Sequence, residues 1–461
     1  MQPANRLPPE IISHIARCVL SGDLFKTKLI IPLTHVCRYW REAIISDASI
    51  WTSVSNHSFC PMELCLERSK GAPLQLDLDV SWGPECRDLI TPYIQNTETL
   101  RCDSIVAVED FTQTLPNFPQ STPNLRSLIL EHAIDYPTRD PSTDPFESFP
   151  NTVTSLSLYD IPLYPSFLEI GTLTTLTLHH FEVRPPLDAF LDLLEGNRLL
   201  EYVDLTIDFD ELPSPIPRHR DVIMSQIRHL SIACVDARIA RTIVSSISLL
   251  RGSRLEITVY SGGAGLGLND ILSGTSVAQL PNLSLPTFME YCSSPRNVRL
   301  AGPDGTFSYS HEWDDKDPFQ GAPFMEFSIL PLTNVRKVYL WHCVSPIFFH
   351  ASSLPALEKL TIDGDPDSSH LSVLFSNPSA SPLLKTLKFQ NCAITEEFME
   401  ELTRFASDRK NTTSTRLHRV VIAPRDGKFP TTDSIRRLGK HVPIVEAGVE
   451  WVEPADPAQE T

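Results

Sequence analysis

The sequence predicts a mixed α/β chain, with a small helical unit at the N-terminus followed by a solenoid of short strands and return limbs. Three observations carry this expectation. First, Ile11, Ile15 and Val19 recur every four residues, with Ile12 and Ala16 beside them, which is the period of one helix face. Second, an apolar triplet spaced by two residues and then one recurs along the chain. It appears at Leu125, Leu128 and Leu130, and again from Val153, Leu173, Leu200, Ile227, Val335, Leu357, Leu384 and Leu417. Third, the 39 prolines are spread along all 461 residues, which favours many short elements over long helices.

The first 54 residues read as a helical cluster. Leu7 precedes a helix in which Pro8 and Pro9 sit where a missing N–H costs nothing. Glu10 adds a negative charge near the positive end of the helix dipole. A turn is expected at Ser21, Gly22 and Asp23, and Pro32 is expected to end or bend any middle helix. A last helix is expected to carry Val36, Trp40 and Ile44 on one stripe, with Cys37 beside it. Ile50 and Trp51 follow. So short a segment holds more apolar side chains than it can bury alone, so it should lean on its own chain or on a partner.

The order Leu7-Pro8-x-Glu10-Ile11-Ile12, then Val36-Cys37-Arg38-x-Trp40-Arg41, then Ile50-Trp51 resembles an F-box. The resemblance implies docking on a Skp adaptor and, through it, on a cullin scaffold, while the rest of the chain holds a protein substrate. It implies adaptor contacts from Leu7, Pro8, Ile11, Ile12, Ile15, Val36, Cys37, Trp40, Ile50 and Trp51. The sequence departs from the family between Asp23 and Val36, where the stretch is longer than usual.

Beyond Trp51, Met62 to Arg68 reads as a helix and Leu74, Leu76 and Leu78 as an alternating strand. Each later triplet is then one strand with alternate residues pointing inward. One such strand cannot bury its apolar side alone, so neighbours are expected to stack. Helical return limbs are expected at Leu187 to Leu194, Ile239 to Ile247 and Phe398 to Phe405. Weaker strand copies fall at Leu255, Ile257 and Val259, and at Val298 and Leu300. The pattern resembles irregular leucine-rich repeats, and Asn391 and Cys392 stand where that family places Asn or Cys at a turn. A doubly wound α/β sheet is the structural competitor. The expected division is an F-box at 1–55, a repeat solenoid at 56–425 and a C-terminal cap with a tail at 426–461. Insertions are expected near 135–150 and 301–327, the second rich in aromatic and acidic residues.

The net charge of −18 argues against nucleic-acid binding, which needs a basic surface. The ten cysteines show no metal-ligand spacing. There is no signal-type segment or long apolar run, so a cytoplasmic or nuclear protein is expected, with no membrane contact. No Gly-x-Ser-x-Gly elbow or phosphate loop is present. The Gly-rich run 262–267 reads as a flexible turn, and His311 to Asp315 as a solvated loop. No catalytic residue, metal or cofactor is assigned.

In the expected solenoid the strands line a concave face. There the residues between the inward positions would present Lys337, Tyr339, Trp341, Lys359, Asp363 and Lys388 as a mixed basic and aromatic patch for a protein substrate. The expected function is that of a substrate receptor in a cullin-based, SCF-type ubiquitin ligase, with ubiquitin transfer on other subunits. A ligase-independent scaffold, in which the F-box is only a cap, is the alternative.

Overall fold

A computed structural model describes residues 7–20, 26–55, 59–79, 84–105, 118, 122–132, 149–161, 163–179, 187–207, 221–260, 268–272, 280–293, 296–312, 330, 332–341, 354–364, 375, 381–412, 415–425 and 427–448. The expected interruptions at 135–148, 213–220 and 313–327, the Gly-rich run 262–267 and the tail beyond 448 lie outside the described residues. The chain divides into two compact units near residues 209–227. The fold is mixed α/β with a large sheet, and among the described residues no sheet closes or curls.

The first unit opens with helices α1 (Pro9–Leu20), α2 (Lys26–Thr34) and α3 (Arg38–Ser46), then a 3-10 turn at Ala48–Trp51. Pro9 and Glu10 start α1 as expected. Its inward face, however, is Ile12 and Ala16, while Ile11 and Val19 are 44% exposed. Both stripes have helical period, and packing against α3 selects the narrower one.

Two other expectations are corrected. Helix α2 continues past Pro32 to Thr34. Pro32 lies in the last turn, and two carbonyls of that turn are satisfied locally: Thr34 Oγ1 donates to the Ile31 carbonyl at 2.7 Å, and Arg41 Nε to the Thr34 carbonyl at 3.0 Å. Helix α3 starts at Arg38, because Cys37 is extended, with φ −163°. Val36 therefore precedes the helix instead of joining its stripe.

Five residues after α3, Trp51 closes the cluster. Its Nε1 donates to the Ile44 carbonyl at 2.9 Å, and the Arg68 guanidinium lies 4.5 Å above its ring. Arg68 ends helix α4 (Phe59–Arg68), so the helical cluster is tied to the chain that follows.

From there the first unit is a parallel ladder. Strand β1 (Ser53–Ser55) pairs with β2 (Leu74–Asp79). Helix α5 (Pro84–Ile90) leads to β3 (Thr97–Ile105), then β4 (Ser127–His132), β5 (Ser155–Tyr159), α6 (Pro165–Leu168), β6 (Thr175–His179), α7 (Leu187–Gly196) and β7 (Tyr202–Ile207). The register aligns Leu76, Leu100, Leu128, Leu156, Leu176 and Val203 in one row. Leu78, Cys102, Leu130, Leu158, Leu178 and Leu205 form the next, and every member of both rows is buried. The period-two pattern thus buries one side of each strand against the return limbs.

Asn197 was not singled out in the sequence. Directly after α7, it is buried, donates from Nδ2 to the Leu193 carbonyl at 2.9 Å and accepts the Leu173 N–H at 2.9 Å. One amide thereby caps a return helix and grips the preceding repeat. Asn197→Ala is expected to lower stability by about 1–3 kcal/mol, since the buried Leu173 N–H loses its partner and the Leu193 carbonyl keeps only the backbone bond from residue 197. A shift in the urea midpoint checks this, and a shift within error would show that water replaces the amide.

The second unit contains β8 (Val222–Met224), β9 (His229–Cys234), α8 (Ala237–Ser245), β10 (Ile247–Leu249), β11 (Arg254–Tyr260) and α9 (Leu268–Leu272). Strands β8 and β10 pair separately. Three strands then break the repeat: β12 (Phe288–Ser293), β13 (Arg296–Gly302) and β14 (Gly305–Glu312). Strand β14 lies parallel beside β11, β13 runs antiparallel to both β14 and β12, and β12 pairs in parallel with the next strand. Val298 and Leu300 therefore sit on a reversed strand, not on a repeat copy as expected. The second expected insertion begins within this excursion, and Phe307 and Tyr309 point into the core.

Parallel pairing resumes with β15 (Lys337–Trp341), β16 (Lys359–Asp363), β17 (Thr386–Cys392) and β18 (Arg419–Pro424). Helix α10 (Glu396–Thr412) joins β17 to β18. It buries Leu402 and Phe405 as expected and, unexpectedly, Arg409. The Arg409 guanidinium donates to the carbonyls of Ser381, Pro382 and Leu384 at 2.7–3.2 Å, and burial lowers its pKa to about 10. Its position four residues after Phe405 was the available signal. Beyond helix α11 (Thr432–Gly439) the chain adds a strand absent from the sequence reading, β19 (Ile444–Ala447), parallel to β18.

Candidate docking surfaces

Within the helical cluster, burial sorts the ten expected contact residues into two groups. Ile12, Ile50 and Trp51 are buried. They form the interior of the cluster and are not available to a partner. Leu7, Ile15, Cys37 and Trp40 are half-buried, and Pro8, Ile11 and Val36 are exposed. Val36 reaches 54% exposure, and Ile31 at the end of α2 is also exposed. Tyr39 OH donates to the Leu7 carbonyl at 3.0 Å, which holds the segment before α1 against the start of α3. The cluster thus leaves an outward apolar stripe on α1 (Ile11, Ile15, Val19) and apolar side chains at the α2–α3 junction. Isolated exposed apolar residues are ordinary, but several gathered on one small helical unit make this surface a candidate for docking.

In the second unit, the expected substrate patch is also sorted by its contacts. Tyr339 and Asp363 are buried, and Tyr339 OH donates to Asp363 Oδ2 at 2.8 Å. Burial and this carboxylate push the phenol far above its ordinary pKa. Asn391, in the left-handed region at φ 50°, donates from Nδ2 to the other oxygen, Oδ1, at 2.9 Å. A polar network therefore spans β15, β16 and β17. Trp341 packs 4.8 Å from the Tyr339 ring and donates from Nε1 to Glu290 Oε1 at 2.7 Å. The aromatic pair expected as a free patch is thus engaged within the sheet. Lys337 and Lys359 remain exposed and Lys388 half-exposed, none with an ion-pair partner among the described residues.

Beside the network, Arg254, Glu256, Glu290, Asn297, Arg299, Thr306, Ser308 and Trp341 line a cavity of about 490 Å³ over the β11–β15 excursion. Its charges are mutually compensated: Arg254 pairs with Glu256, and Arg299 approaches Glu290 at 3.9 Å.

On the first unit's outward sheet face, Arg101 donates to Asp103 at 2.8 Å and Glu131 at 3.1 Å, and lies 3.7 Å from Asp77. His179 lies 3.3 Å from Asp204 and meets the Tyr159 ring edge-on. These groups satisfy one another. Among the described residues no group of three or more His, Cys, Asp or Glu side chains is placed to hold a metal ion, and no helix is long and apolar enough to cross a membrane. Burial pushes the Cys65 and Cys234 thiols up to about 12, so they behave as small hydrophobes.

Residues 4–57 match the F-box-like family model. This segment is an F-box-like domain. It spans α1 to β1 and includes every residue of the expected adaptor set. Among curated proteins, none matches the chain. F-box domains bind a Skp adaptor and through it a cullin, and the domain points to an adaptor role in an SCF-type ubiquitin ligase. The F-box-like domain here departs from the sequence expectation in one useful respect. Its family residues divide between an interior (Ile12, Ile50, Trp51) and a surface (Leu7, Pro8, Ile11, Ile15, Val36, Cys37, Trp40), a division that motif spacing alone does not reveal.

Proposed function

We propose that this protein is the substrate-recognition subunit of an SCF-type ubiquitin ligase. The F-box-like domain docks on the Skp adaptor through its exposed apolar residues, and the strand-built remainder receives a protein target. Ubiquitin transfer takes place on other subunits, and the chain itself supplies binding alone. The parallel, in-register ladders support a leucine-rich-repeat-like reading of that remainder. The same backbone bond recurs just before successive strands, from Glu358 N–H to the Arg336 carbonyl, Lys385 N–H to Glu358 and His418 N–H to Lys385, each at 2.8 Å.

One observation carries the docking proposal: Ile11 and Val36 are exposed on a domain whose neighbouring apolar residues are buried. Co-expression with the Skp adaptor should co-purify a complex. Ile11→Glu combined with Val36→Glu should weaken it at least about a hundredfold, because two anchors acquire buried charge, while the circular dichroism stays unchanged. Equal adaptor recovery by the double variant would sink the assignment of this surface. No association with the intact chain would instead favour a ligase-independent scaffold.

A further inference from the structure

The outward face of β15–β18 concentrates positive charge in a chain of net charge −18. The register places Lys337 directly opposite Lys359 on adjacent strands, and Thr386 and Arg419 continue that row. Lys388 lies one step along on β17, opposite Thr361. Like charges directly opposite across a sheet destabilise it, so the arrangement works against folding. The strain shows in the ammonium groups themselves. Desolvation by the neighbouring strands, then the charges of Lys337 and Arg419, lower the Lys359 pKa. Desolvation, then Lys359, with Arg419 adding to it, lower that of Lys388 despite the opposing pull of Asp363.

The acidic groups nearby are already committed. Asp363 accepts from Tyr339 and Asn391, Glu290 accepts from Trp341, and Glu446 is held by Arg419 at 2.7 Å. Among the described residues none of the three ammonium groups lies in a salt bridge, and the charge of Asp363 favours Lys388 only in part against its like-charged neighbours. The cavity beside Trp341 has its charges paired, and the Arg101 cluster carries an excess of carboxylates, so neither offers a row of cations.

We propose that this ladder receives an acidic segment of the partner protein, a peptide whose carboxylates lie across strands β15 to β18 and supply counter-charge. Neighbouring strands lie about 4.8 Å apart, and alternate residues of an extended peptide about 7 Å. Carboxylates on one side of such a peptide therefore fall within reach of Lys337, Lys359 and Lys388. The inference deepens the substrate-receptor reading above and rests on it for the identity of the partner.

The test uses the full chain and fluorescence anisotropy with labelled peptides. Peptides of alternating Glu and Ser, alternating Lys and Ser, and a phosphoserine version of equal negative charge are compared at low and raised salt. The Glu peptide is expected to bind and the Lys peptide not, with affinity falling as salt rises. The variant Lys337→Ser, Lys359→Ser, Lys388→Ser should lose about tenfold in affinity at low salt, summing the modest worth of three exposed ion pairs. The triple Lys→Arg variant should keep it, which separates charge from folding. The proposal is overturned if the Glu peptide fails to bind the native chain, if the triple Ser variant binds as well as the native chain, or if only the phosphorylated peptide or a single-stranded oligonucleotide binds. Adaptor co-purification is a separate readout. Its retention with no peptide binding overturns the ladder alone, and its loss with peptide binding intact overturns the ligase reading alone.

Discussion

Replacing Trp51 with alanine is expected to lower the stability of the F-box-like domain by about 3–5 kcal/mol. The indole is 1% exposed, its Nε1 satisfies the Ile44 carbonyl at 2.9 Å, and Arg68 covers its face. The substitution leaves a cavity too large for neighbouring side chains to fill, orphans a buried carbonyl and releases the guanidinium from its aromatic platform. Ile44 belongs to α3 and Arg68 to α4, so both flanks of the tryptophan loosen together. Denaturant titration followed by far-ultraviolet circular dichroism measures the loss. Trp40, half-buried in α3, provides the contrast. Trp40→Ala should cost about 1 kcal/mol or less in stability and act chiefly on adaptor association. If the two variants were equally destabilised, Trp40 would belong to the interior and the surface assignment would be wrong. Adaptor binding lost in Trp51→Ala should therefore return at low temperature, where more of the domain is folded, while that lost in Trp40→Ala should not.

Replacing Gly305 with alanine is expected to cost about 3 kcal/mol or more in the second unit. Gly305 follows the two-residue turn Pro303-Asp304 that joins β13 to β14, and its φ is 122°. No L side chain adopts that conformation without strain. Space is lacking as well: a Cβ there would sit 2.2 Å from the Ser253 carbonyl oxygen and 3.1 Å from Asn282 Cβ. That oxygen accepts the Thr306 N–H at 3.2 Å, and Asn282 Nδ2 donates to the Thr306 carbonyl at 3.0 Å. The turn is thus clamped between Ser253, just before β11, and Asn282, in the 3-10 turn Pro281–Leu283, and relief of the clash breaks the parallel β11–β14 start. Amide exchange at 306–310 should quicken along with the drop in melting temperature. Gly427, also at positive φ but with open space around it, should lose only about 1 kcal/mol on the same change. Equal effects at the two positions would mean that backbone conformation, not the close approach, sets the cost.

Much of the architecture was legible because it is encoded by local periodicity. Leu156 and Leu158, Leu176 and Leu178, and Leu387 and Phe389 alternate with polar residues, and each pair is buried. Alternation follows from the geometry of a single strand, whatever its neighbours. The F-box-like segment was legible for a different reason: its conserved-looking order Leu-Pro-x-Glu-Ile-Ile and Val-Cys-Arg-x-Trp-Arg is a motif, read without any packing. The candidate contacts were less legible. Ile11 and Ile12 are adjacent, chemically identical and both on helical stripes, and only the position of α3 makes one interior and the other surface. Tyr339 sits at an outward-facing position of its strand, yet a carboxylate 24 residues away draws its hydroxyl into a bond and buries it.

The sequence by itself determined the inward rows of the repeated triplets, the helical N-terminal domain and the excess of negative charge, since each depends on spacing within one segment or on composition. The tertiary structure alone decided the strand order β11–β14–β13–β12–β15, which reverses the chain direction locally. It also decided the three-strand network through Asp363, the capping role of Asn197 and the register that sets Lys337 opposite Lys359. Each of these depends on which remote residues are brought into register. That is settled by the joint burial of surfaces from separate segments, and no local pattern carries it.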